Sequence, residues 1–495
     1  MSGFLCCQKT ETYDIYAKGT VPCEKKILRK RVIIMASKSK KVVALILTAM
    51  MAVTALAGCG GSDSEPGSPS TPAPTTSNTT STAEVKTVDL NDAETVTFIK
   101  GKLKEEAKDG KIELVLWCSG DDLAFEKTLV KEFKEKFEGD GLEIKIKTTT
   151  KGEDEAGGAI IENAKKGGDV FSFADDQLTS LNQNGAIATV AKYYETSVKG
   201  DNSEEAITVS SLGDKLYAFP KTSDNGYFMY YDKRVFDESD LDSMDKMIEK
   251  AKAAGKNVYF NMGNAWYSTG FFFTAGCTIK YENKVQTATL GTPQGLSAAK
   301  AMAHICESQD NGFLGSPGMI GDNAFVAQGF AEGKLAAAVI GTWEGPAIKK
   351  EIGEENTGAC KLPTVLMDGE QKQLDSFGGY KLIGVNVYSE YPFAAQTLAY
   401  FLSSKDSQLK RYETRGLIPT NKEAAADEKV KNDPAFKAID DQRPYSHAQG
   451  TSVGAVYWGS GAGSIGGDLV TAKGKISDDD LMTKLKGVEA NCRQA

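Results

Sequence analysis

Histidine is scarce in this sequence, with only His304 and His447 among 495 residues. Histidine is the side chain most often used as a general acid or base near neutral pH and is a common metal ligand. His304 lies in an alanine-rich stretch, where an ordinary helix residue is the simpler interpretation. The sequence also contains no HExxH zinc motif and no P-loop. These absences argue against metalloproteases and P-loop nucleotide hydrolases, and we expect no metal site and no cofactor.

Cysteine is also sparse once the N-terminal region is set aside. Of nine cysteines, three precede residue 35 and one is Cys59. The remaining five are Cys118, Cys277, Cys306, Cys360 and Cys492. Their number is odd and none form a CxxC pair, so neither a structural zinc site nor a full disulfide framework is expected. A single bridge stays possible, and the sequence does not place it.

The net charge of −9 is an average over two dissimilar regions. Residues 1–58 contain ten Lys/Arg and three Asp/Glu, whereas the rest of the chain has 48 Lys/Arg against 64 Asp/Glu. A body this acidic repels nucleic-acid phosphates and anionic lipid surfaces. Nucleic acid is therefore excluded as a partner, and the basic head requires a separate explanation.

The basic head has the features of an export signal. Lys38, Lys40 and Lys41 precede an apolar run over residues 42–57, which is short of the ~20 residues that span a membrane. The run ends in the sequence LAGC at residues 56–59, which resembles the lipobox of bacterial lipoproteins. In that class the signal is removed and the cysteine carries lipid, so residues 1–58 would be leader and Cys59 the lipidated first residue. The alternative is an uncleaved anchor or a buried helix.

Two further predictions concern the same region. Met35 directly precedes the basic stretch, so we expect the true start there, with residues 1–34 arising from an upstream start codon. Residues 60–85 are rich in Ser, Thr, Pro and Gly and lack large apolar side chains, apart from a single Val at the end. Such a segment cannot bury enough surface to fold, and it predicts a disordered tether between membrane and body.

The body alternates strand and helix patterns. Residues 112–117 and 142–148 are predicted strands on either side of a helix with Phe125, Leu129 and Phe133 at helical spacing. Further strands are predicted at residues 169–173, 258–262, 335–340 and 380–387, and helices at 245–254, 292–307 and 325–332. Residues 392–402 and the residues that follow up to 415 are predicted to form a pair of helices. This alternation favours mostly parallel sheets covered by helices.

One glycine motif suggests chemistry that the context does not support. Residues 461–466 read GAGSIG and match GxGxxG after the strand-like AVYW of residues 455–458. A dinucleotide fold needs a further βαβ unit and an acid ~20 residues on, and only 29 residues remain. We therefore interpret these glycines as a loop with close packing. The acid pairs Asp121-Asp122 and Asp175-Asp176 suit acid–base work, but adjacent loop acids are usually solvated or capping.

Aromatic residues recur at strand ends beside turn residues. Trp343 follows the 335–340 strand, Trp458 ends AVYW, Trp266 and Tyr267 follow the 258–262 strand, and Phe173 precedes an acid pair. Ligands of open α/β sheets bind beyond the carboxyl ends of strands. Flat rings there suit the C–H faces of sugars, with carboxylates and amides for the hydroxyls. The competing interpretation is that each aromatic fills the core.

Several short motifs occur in a characteristic order along the body of the chain. They are Gly120-Asp121, Gly168-Asp169-Val170 and residues 213–220, 230–233, 325–343 and 416–421. In this order they resemble the family 1 extracellular solute-binding proteins of the maltose/maltodextrin-binding type. The resemblance implies an α/β, periplasmic-binding-protein-like (type II) fold with two interleaved lobes, a hinge and a ligand cleft. Lobe 1 would comprise residues 86–222 and 376–416, and lobe 2 residues 223–375 and 417–495. The hinges would lie near residues 220–224 and 373–377.

The resemblance also assigns ligand-binding roles by position. The predicted residues are Asp121, Asp122, Phe173, Asp176, Asp224, Trp266, Tyr267, Trp343 and Trp458. Four positions depart from the family pattern. Asp122 replaces a lysine, Gln177 an arginine and Asn264 an acid, and the position of the family's arginine beyond the last tryptophan falls in the glycine loop. They bear on which sugar binds and leave the class unchanged.

The resemblance implies a non-enzymatic, monomeric lipoprotein that captures maltodextrin-like oligosaccharides and delivers them to ABC transporter permease subunits. It would be anchored through Cys59 on the outer face of a cell membrane, as in single-membrane bacteria. Two alternatives stay open. One is a lipoprotein glycoside hydrolase that uses two of the acids, and the other is the same fold binding a non-sugar solute.

Overall fold

The structure is a computed structural model that describes residues 87–282, 285–316, 318 and 321–493. The predicted leader, the Met35 start, the Cys59 lipid site and the 60–85 tether lie outside the described residues.

Eighteen strands are present in the described chain. They are β1 (Lys111–Cys118), β2 (Glu143–Thr150), β3 (Val170–Ala174), β4 (Ser211–Leu212), β5 (Lys215–Leu216), β6 (Ala218–Thr222), β7 (Phe228–Asp232), β8 (Asn257–Tyr259), β9 (Ile279–Glu282), β10 (Val285–Ala288), β11 (Phe313–Leu314), β12 (Leu335–Ile340), β13 (Thr357–Cys360), β14 (Thr364–Met367), β15 (Glu370–Gln373), β16 (Ser376–Gly378), β17 (Lys381–Val385) and β18 (Ser446–Ala448).

Twenty α-helices accompany them in the same described part. They are α1 (Ala93–Glu106), α2 (Leu123–Phe137), α3 (Ala156–Glu162), α4 (Leu178–Gln183), α5 (Lys192–Asp201), α6 (Glu204–Val209), α7 (Met244–Ala253), α8 (Ala265–Thr274), α9 (Pro293–Cys306), α10 (Asp322–Ala331), α11 (Gly345–Ile352), α12 (Pro392–Leu402), α13 (Lys405–Arg415), α14 (Lys422–Ala425), α15 (Glu428–Lys431), α16 (Pro434–Gln442), α17 (Gln449–Ser452), α18 (Ala455–Trp458), α19 (Ala462–Thr471) and α20 (Asp478–Cys492). Within these ranges we find no helix that is both long and apolar enough to cross a membrane.

The first large sheet has the strand order β2-β1-β3-β17-β6. β1 is parallel to β2 and β3, whereas β17 is antiparallel to β3 and β6. Alternate residues of a strand point to opposite faces. Accordingly, Val170 joins one apolar cluster, which includes α1, α2 and α12, and Phe171 joins another, which includes α4. The sheet is therefore covered on both faces, as an α/β lobe requires.

The second large sheet has the order β11-β8-β12-β7-β13. β8 is parallel to β11 and β12, and β7 runs antiparallel to β12 and β13. All six residues of β12, LAAAVI, are buried, because small side chains let helices pack closely on a central strand. One continuous apolar cluster surrounds this sheet and includes α7, α8, α9 and α20.

The chain crosses between the two sheets three times, and the crossings lie side by side. The first runs from β6 to β7, the second from β16 to β17, and the third follows α13. The Ser223 amide donates to the Ile418 carbonyl at 2.9 Å, and the Asn225 amide donates to the Gly379 carbonyl at 3.2 Å. These backbone bonds join all three crossings. The two predicted hinge segments lie at the first two, and motion about them stays a prediction.

The structure corrects two local predictions. AVYW forms helix α18 and not a strand, and GAGSIG lies mostly within helix α19 and not in a loop. The close packing expected of these glycines is confirmed, since a Cβ atom at Gly466 would overlap the Met262 carbonyl oxygen and one at Gly463 would lie 2.5 Å from the Gly263 carbonyl oxygen. The five cysteines of the body are all free.

Candidate ligand-binding cavity

A cavity of about 720 Å³ lies between the two sheets and is walled by residues from both. This volume is within the usual range for small-molecule sites. Its lining residues are Ser119, Gly120, Asp121, Asp122, Gly152, Glu153, Asp154, Ala174, Asp176, Asn225, Asn264, Trp266, Tyr267, Asp322, Asn323, Trp343, Lys381, Arg415, Leu417, Gln449 and Trp458.

The carboxyl ends of neighbouring strands build one wall. Asp121 follows β1, Asp154 follows β2 and Asp176 follows β3. Because these three strands are adjacent and parallel, their following loops meet at one sheet edge. The opposite wall is built in the same way, since Trp266 follows β8 and Trp343 follows β12, the neighbouring parallel strand.

Three indole rings and the Tyr267 ring form the aromatic part of the cavity. The centroids of Trp266 and Trp343 are 5.9 Å apart, and Trp458 is 36% exposed. The Trp266 indole N–H donates to Gln449 Oε1 at 2.9 Å, and that of Trp343 donates to Asn323 Oδ1 at 3.1 Å. These bonds fix two of the rings while leaving apolar faces for a ligand. Flat surfaces with polar edges of this kind suit a sugar ring.

Two contacts span the cavity between the lobes. The Lys381 ammonium, at the start of β17, lies 5.1 Å from the centroid of the Trp343 ring. The Asn323 amide donates to Asp121 Oδ2 at 3.4 Å. The Lys381 side chain is 13% exposed, so its cation–π contact lies between the ~0.5–1 kcal/mol typical of exposed sites and the ~2 kcal/mol typical of desolvated ones.

A buried ion network lies directly beneath the first wall. Lys221, which is fully buried, donates to Asp122 at 3.0 Å and to Glu153 at 2.8 Å. Arg415 completes the pairing of Asp122 at 3.0 Å, and Lys381 that of Glu153 at 3.1 Å. Burial raises the pKa of Asp122, but the neighbouring cations, Lys221 foremost, outweigh it and leave that pKa well below its ordinary value. Both acids are therefore ionised and engaged within the protein.

Three other acids at or near the cavity have raised pKa values, because burial disfavours their charged forms. Burial, helped by Asp176, raises the pKa of Asp175 to about 8, and burial raises the pKa of Asp176 to about 6. Burial and the nearby Asp121 raise the pKa of Glu344 to about 7. Despite this acidity, no group of three or more His, Cys, Asp or Glu side chains in the described ranges is arranged to hold a metal ion.

The comparisons with known proteins agree with this architecture. Residues 128–438 match the family described as bacterial extracellular solute-binding protein. The chain belongs to this family. The predicted membership is confirmed, and the family is one of binding proteins.

Individual relatives cover most of the body. A galactooligosaccharide-binding protein of Bacillus subtilis (strain 168) is 25% identical over 293 residues, which are 57% of this chain and 67% of the relative. A maltooligosaccharide ABC transporter solute-binding lipoprotein of Streptococcus pneumoniae (strain ATCC BAA-255 / R6) is 26% identical over 315 residues, which are 60% of this chain and 71% of that protein.

A solved structure described as a complex with acarbose is 30% identical and covers 77% of this chain and 99% of its own, with a TM-score of 0.68. The chain of 495 residues therefore has the predicted type II periplasmic-binding-protein-like fold.

Seven of the nine predicted ligand-binding residues line the cavity of the solute-binding protein. They are Asp121, Asp122, Asp176, Trp266, Tyr267, Trp343 and Trp458. Their local settings differ, because Asp122 is occupied by Lys221 and Arg415. By contrast, Trp266 and Trp343 are partly exposed and Trp458 is exposed.

Phe173 and Asp224 need correction, since neither lines the cavity. Phe173 is fully buried in the lobe core, where its ring lies 5.4 Å from that of Phe171. β3 is buried on both faces, so an aromatic at its end packs inward. Asp224 is also fully buried and accepts hydrogen bonds from Thr342 Oγ1 and the Ile418 amide. Its role in the first crossing is structural.

Several cavity residues were not predicted. Lys381 and Arg415 lie beside two crossings, and Asn323 and Gln449 orient the tryptophans.

A G-x-S-x-G pattern, which is a motif of hydrolase nucleophile elbows, is present at residues 450–454. Ser452, however, is the buried last residue of helix α17 and does not stand at a strand-to-helix turn.

Proposed function

We propose that this protein is the extracytoplasmic solute-binding component of an ABC sugar transporter and that it captures maltodextrin-like oligosaccharides. The observation that carries the proposal is the cavity between the lobes, where three tryptophans face a ring of carboxylates and amides. The Streptococcus pneumoniae relative, named for maltooligosaccharide, supports the α-glucan class. The Bacillus subtilis relative, named for galactooligosaccharide, makes galacto-oligosaccharides the second candidate.

The mechanism follows from the three adjacent crossings. A ligand that contacts both walls binds the closed arrangement better than the open one and shifts the equilibrium toward closure. The proposed division places residues 86–222 and 376–416 in lobe 1 and residues 223–375 and 417–495 in lobe 2. It is supported by the first sheet, whose strands all fall within the first set. In this mechanism the carboxylates accept sugar hydroxyls and make no covalent bond.

Calorimetry on the purified body tests the ligand class. Maltotetraose, galactotetraose and cellotetraose should be titrated separately, with cellotetraose as the control of different linkage. We expect maltotetraose to bind most tightly. Tighter binding of galactotetraose would replace the α-glucan assignment, and no heat with any of the three would refute sugar capture.

Tryptophan variants test the stacking surface. Trp343→Ala and Trp266→Ala should each weaken maltotetraose binding about tenfold or more, because each removes a stacking face and its buried area. Trp117→Ala is the matched control, since Trp117 lies in β1 outside the cavity. Circular dichroism should show an intact fold in every variant. Equal affinities for all three would refute the assignment of the rings.

The absence of catalysis is tested on the same sample. We propose that the protein returns maltotetraose unchanged after prolonged incubation at a one-to-one ratio. Shorter saccharides detected by mass spectrometry would instead support the hydrolase alternative, and alanine substitution of Asp121 or Asp176 should then stop their formation.

The cellular location rests on the N-terminal sequence. We propose that Cys59 carries lipid and holds a monomeric protein at the outer face of the cell membrane, where it meets the permease. Cys59→Ser should move the protein from the membrane fraction to the medium. Retention of the variant on the membrane would contradict the anchor, and light scattering of the purified body tests the monomer.

A further inference from the structure

The back of the Trp343 ring rests on a glycine. Gly341 directly follows β12, two residues before Trp343, and it is buried and takes no part in lining the cavity. A Cβ atom at Gly341 would lie within 2.5 Å of three consecutive ring atoms of Trp343, namely Cε3, Cζ3 and Cη2. An approach to the ring edge would bring only one atom that close. The missing Cβ is therefore directed at the face of the ring, on the side away from the cavity.

The ring, and not the backbone, requires a glycine at this position. The backbone angles of Gly341, φ −94° and ψ −179°, are extended values that any residue adopts. The three atoms nearest to an added Cβ all belong to the Trp343 ring. Packed carbon atoms lie about 3.5–4.0 Å apart, so a methyl group here would push that ring away by roughly 1 Å or more.

The surroundings of the ring show where such a push would lead. The Trp343 indole N–H donates to Asn323 Oδ1 at 3.1 Å. The Trp266 centroid lies 5.9 Å from that of Trp343, and the Lys381 ammonium lies 5.1 Å from it. All three neighbours line the cavity. Because Gly341 lies behind the ring, a displaced ring moves into the cavity and strains its bond to Asn323.

Resting on the proposed function, we propose that Gly341 is a positioning residue of the sugar site. Its lack of a side chain sets the depth at which Trp343 lies, covers one face of the ring with backbone and leaves the opposite face to stack on a sugar residue. A binding site tolerates only about 0.5 Å of displacement before its productive geometry is lost. The push from a single methyl group exceeds that tolerance, so glycine at this position determines sugar affinity.

Calorimetry with maltotetraose tests the role of Gly341. We expect Gly341→Ala to weaken binding about tenfold, because the stacking face of Trp343 is misplaced. Gly321→Ala is the matched control, since Gly321 also has an extended backbone, is exposed and has nothing within 4 Å of an added Cβ. The control should bind within about twofold of the wild type. Wild-type affinity in Gly341→Ala would overturn the inference.

A double-mutant cycle shows whether Gly341 acts through the ring. In a Trp343→Ala background the added methyl group has free space, so Gly341→Ala should cause no further loss of affinity. An equal loss in both backgrounds would overturn the inference. If Gly341→Ala alone does not fold, the double variant should still fold, because the overlap has been removed. Failure of both to fold, when Trp343→Ala alone folds, would show that the ring is not what requires the glycine.

The position of the ring is also measured without a ligand. Near-ultraviolet circular dichroism reports fixed packing of aromatic side chains, so Gly341→Ala should change the indole bands of the wild type. The same substitution should leave the spectrum of Trp343→Ala unchanged. Identical spectra for Gly341→Ala and the wild type would overturn the inference.

The outcomes separate this inference from the proposed function. If maltotetraose binds and Trp343→Ala does not weaken it, the stacking surface and the role of Gly341 at the sugar site are both refuted, and sugar capture stands. If no saccharide binds to the wild type, the proposed function is refuted, and the role of Gly341 at a sugar site is refuted with it. In that case the spectra still decide whether Gly341 positions the ring.

Discussion

Replacement of Lys221 by methionine would test how the floor of the cavity is held together. Lys221 lies near the end of β6, fully buried, with its ammonium 3.0 Å from Asp122, 2.8 Å from Glu153 and 3.7 Å from Glu126. Methionine has a similar length and no charge. The variant therefore leaves three buried carboxylates with one cation fewer.

The expected loss of stability follows from the difference between buried and exposed ion pairs. Removing one partner of a buried ion pair typically destabilises a protein by about 3–5 kcal/mol, because the remaining charge has no compensation. Lys410 offers a matched control, since its ammonium lies 2.6 Å from Glu132 but its side chain is 47% exposed. An exposed pair is worth at most about 1 kcal/mol. We therefore expect Lys221→Met to cost several times more than Lys410→Met.

The pH dependence gives an independent check of the sign. The pKa values of Asp122 and Glu153 lie below their ordinary values, because the attraction of Lys221 and the other cations outweighs burial. Groups with a lowered folded pKa contribute stability above their unfolded pKa of about 4, and this stability is lost as the pH falls further. Removing Lys221 raises both folded pKa values. The stability deficit of Lys221→Met should therefore shrink as the pH falls from 7.5 to 4.5.

Urea unfolding followed by circular dichroism measures the stability lost in each of the two variants and how the loss in Lys221→Met changes with pH. The wild type, Lys221→Met and Lys410→Met should be unfolded at both pH values, with the slopes compared to check that the unfolded states match. A cost below about 1 kcal/mol for Lys221→Met, or a deficit that grows toward low pH, would refute the reasoning.

Three further predictions concern packing, titration and the first crossing. Gly466→Ala should destabilise the protein by about 1–3 kcal/mol, because the added Cβ overlaps the Met262 carbonyl oxygen. Gly467→Ala in the same helix, where the added Cβ lies 3.7 Å from Gly263, should be neutral or up to about 1 kcal/mol stabilising. Equal shifts of the melting temperature in the two variants would contradict this. Asp175→Asn should raise the melting temperature at pH 8 and not at pH 4, because a folded pKa of about 8 means that ionisation opposes folding as the pH rises from 4 to 8; a pH-independent shift would be inconsistent with that titration. Thr342→Val removes a hydrogen-bond donor from the buried Asp224 and should lower the free energy of unfolding in urea by about 1–3 kcal/mol. Thr471→Val on an exposed helix face should lower it by about 0.5 kcal/mol or less. Similar losses in the two variants would argue against a structural role of Asp224.

Local patterns predicted the regular elements well where they were long. The sequence places β12 at residues 335–340 and α12 from Pro392 to Leu402, and the structure has both at those bounds. The short AVYW run was assigned wrongly because four apolar residues fit a buried helix as well as a strand. Phe173 was misplaced because sequence position does not reveal on which face of a doubly covered strand a ring will lie.

The ion network could not be predicted because its members are distant in the chain. Lys221 is 99 residues from Asp122 and 68 from Glu153. Each is one charged residue among many in a chain with 58 basic and 67 acidic side chains. Only the sheet order β2-β1-β3-β17-β6, which brings the ends of these strands together, reveals which charges meet.

That network also relates the cavity to the crossings. Lys221 is the next-to-last residue of β6 before the first crossing, Lys381 is the first of β17 after the second, and Arg415 is the last of α13 before the third. Lys221 binds both Asp122 and Glu153, whereas Lys381 binds Glu153 and Arg415 binds Asp122. These two acids follow β1 and β2 beside the cavity. The lobe-1 end of every crossing is thereby fixed to the cavity floor. In the proposed closure mechanism, bending would therefore begin beyond these three residues in each crossing.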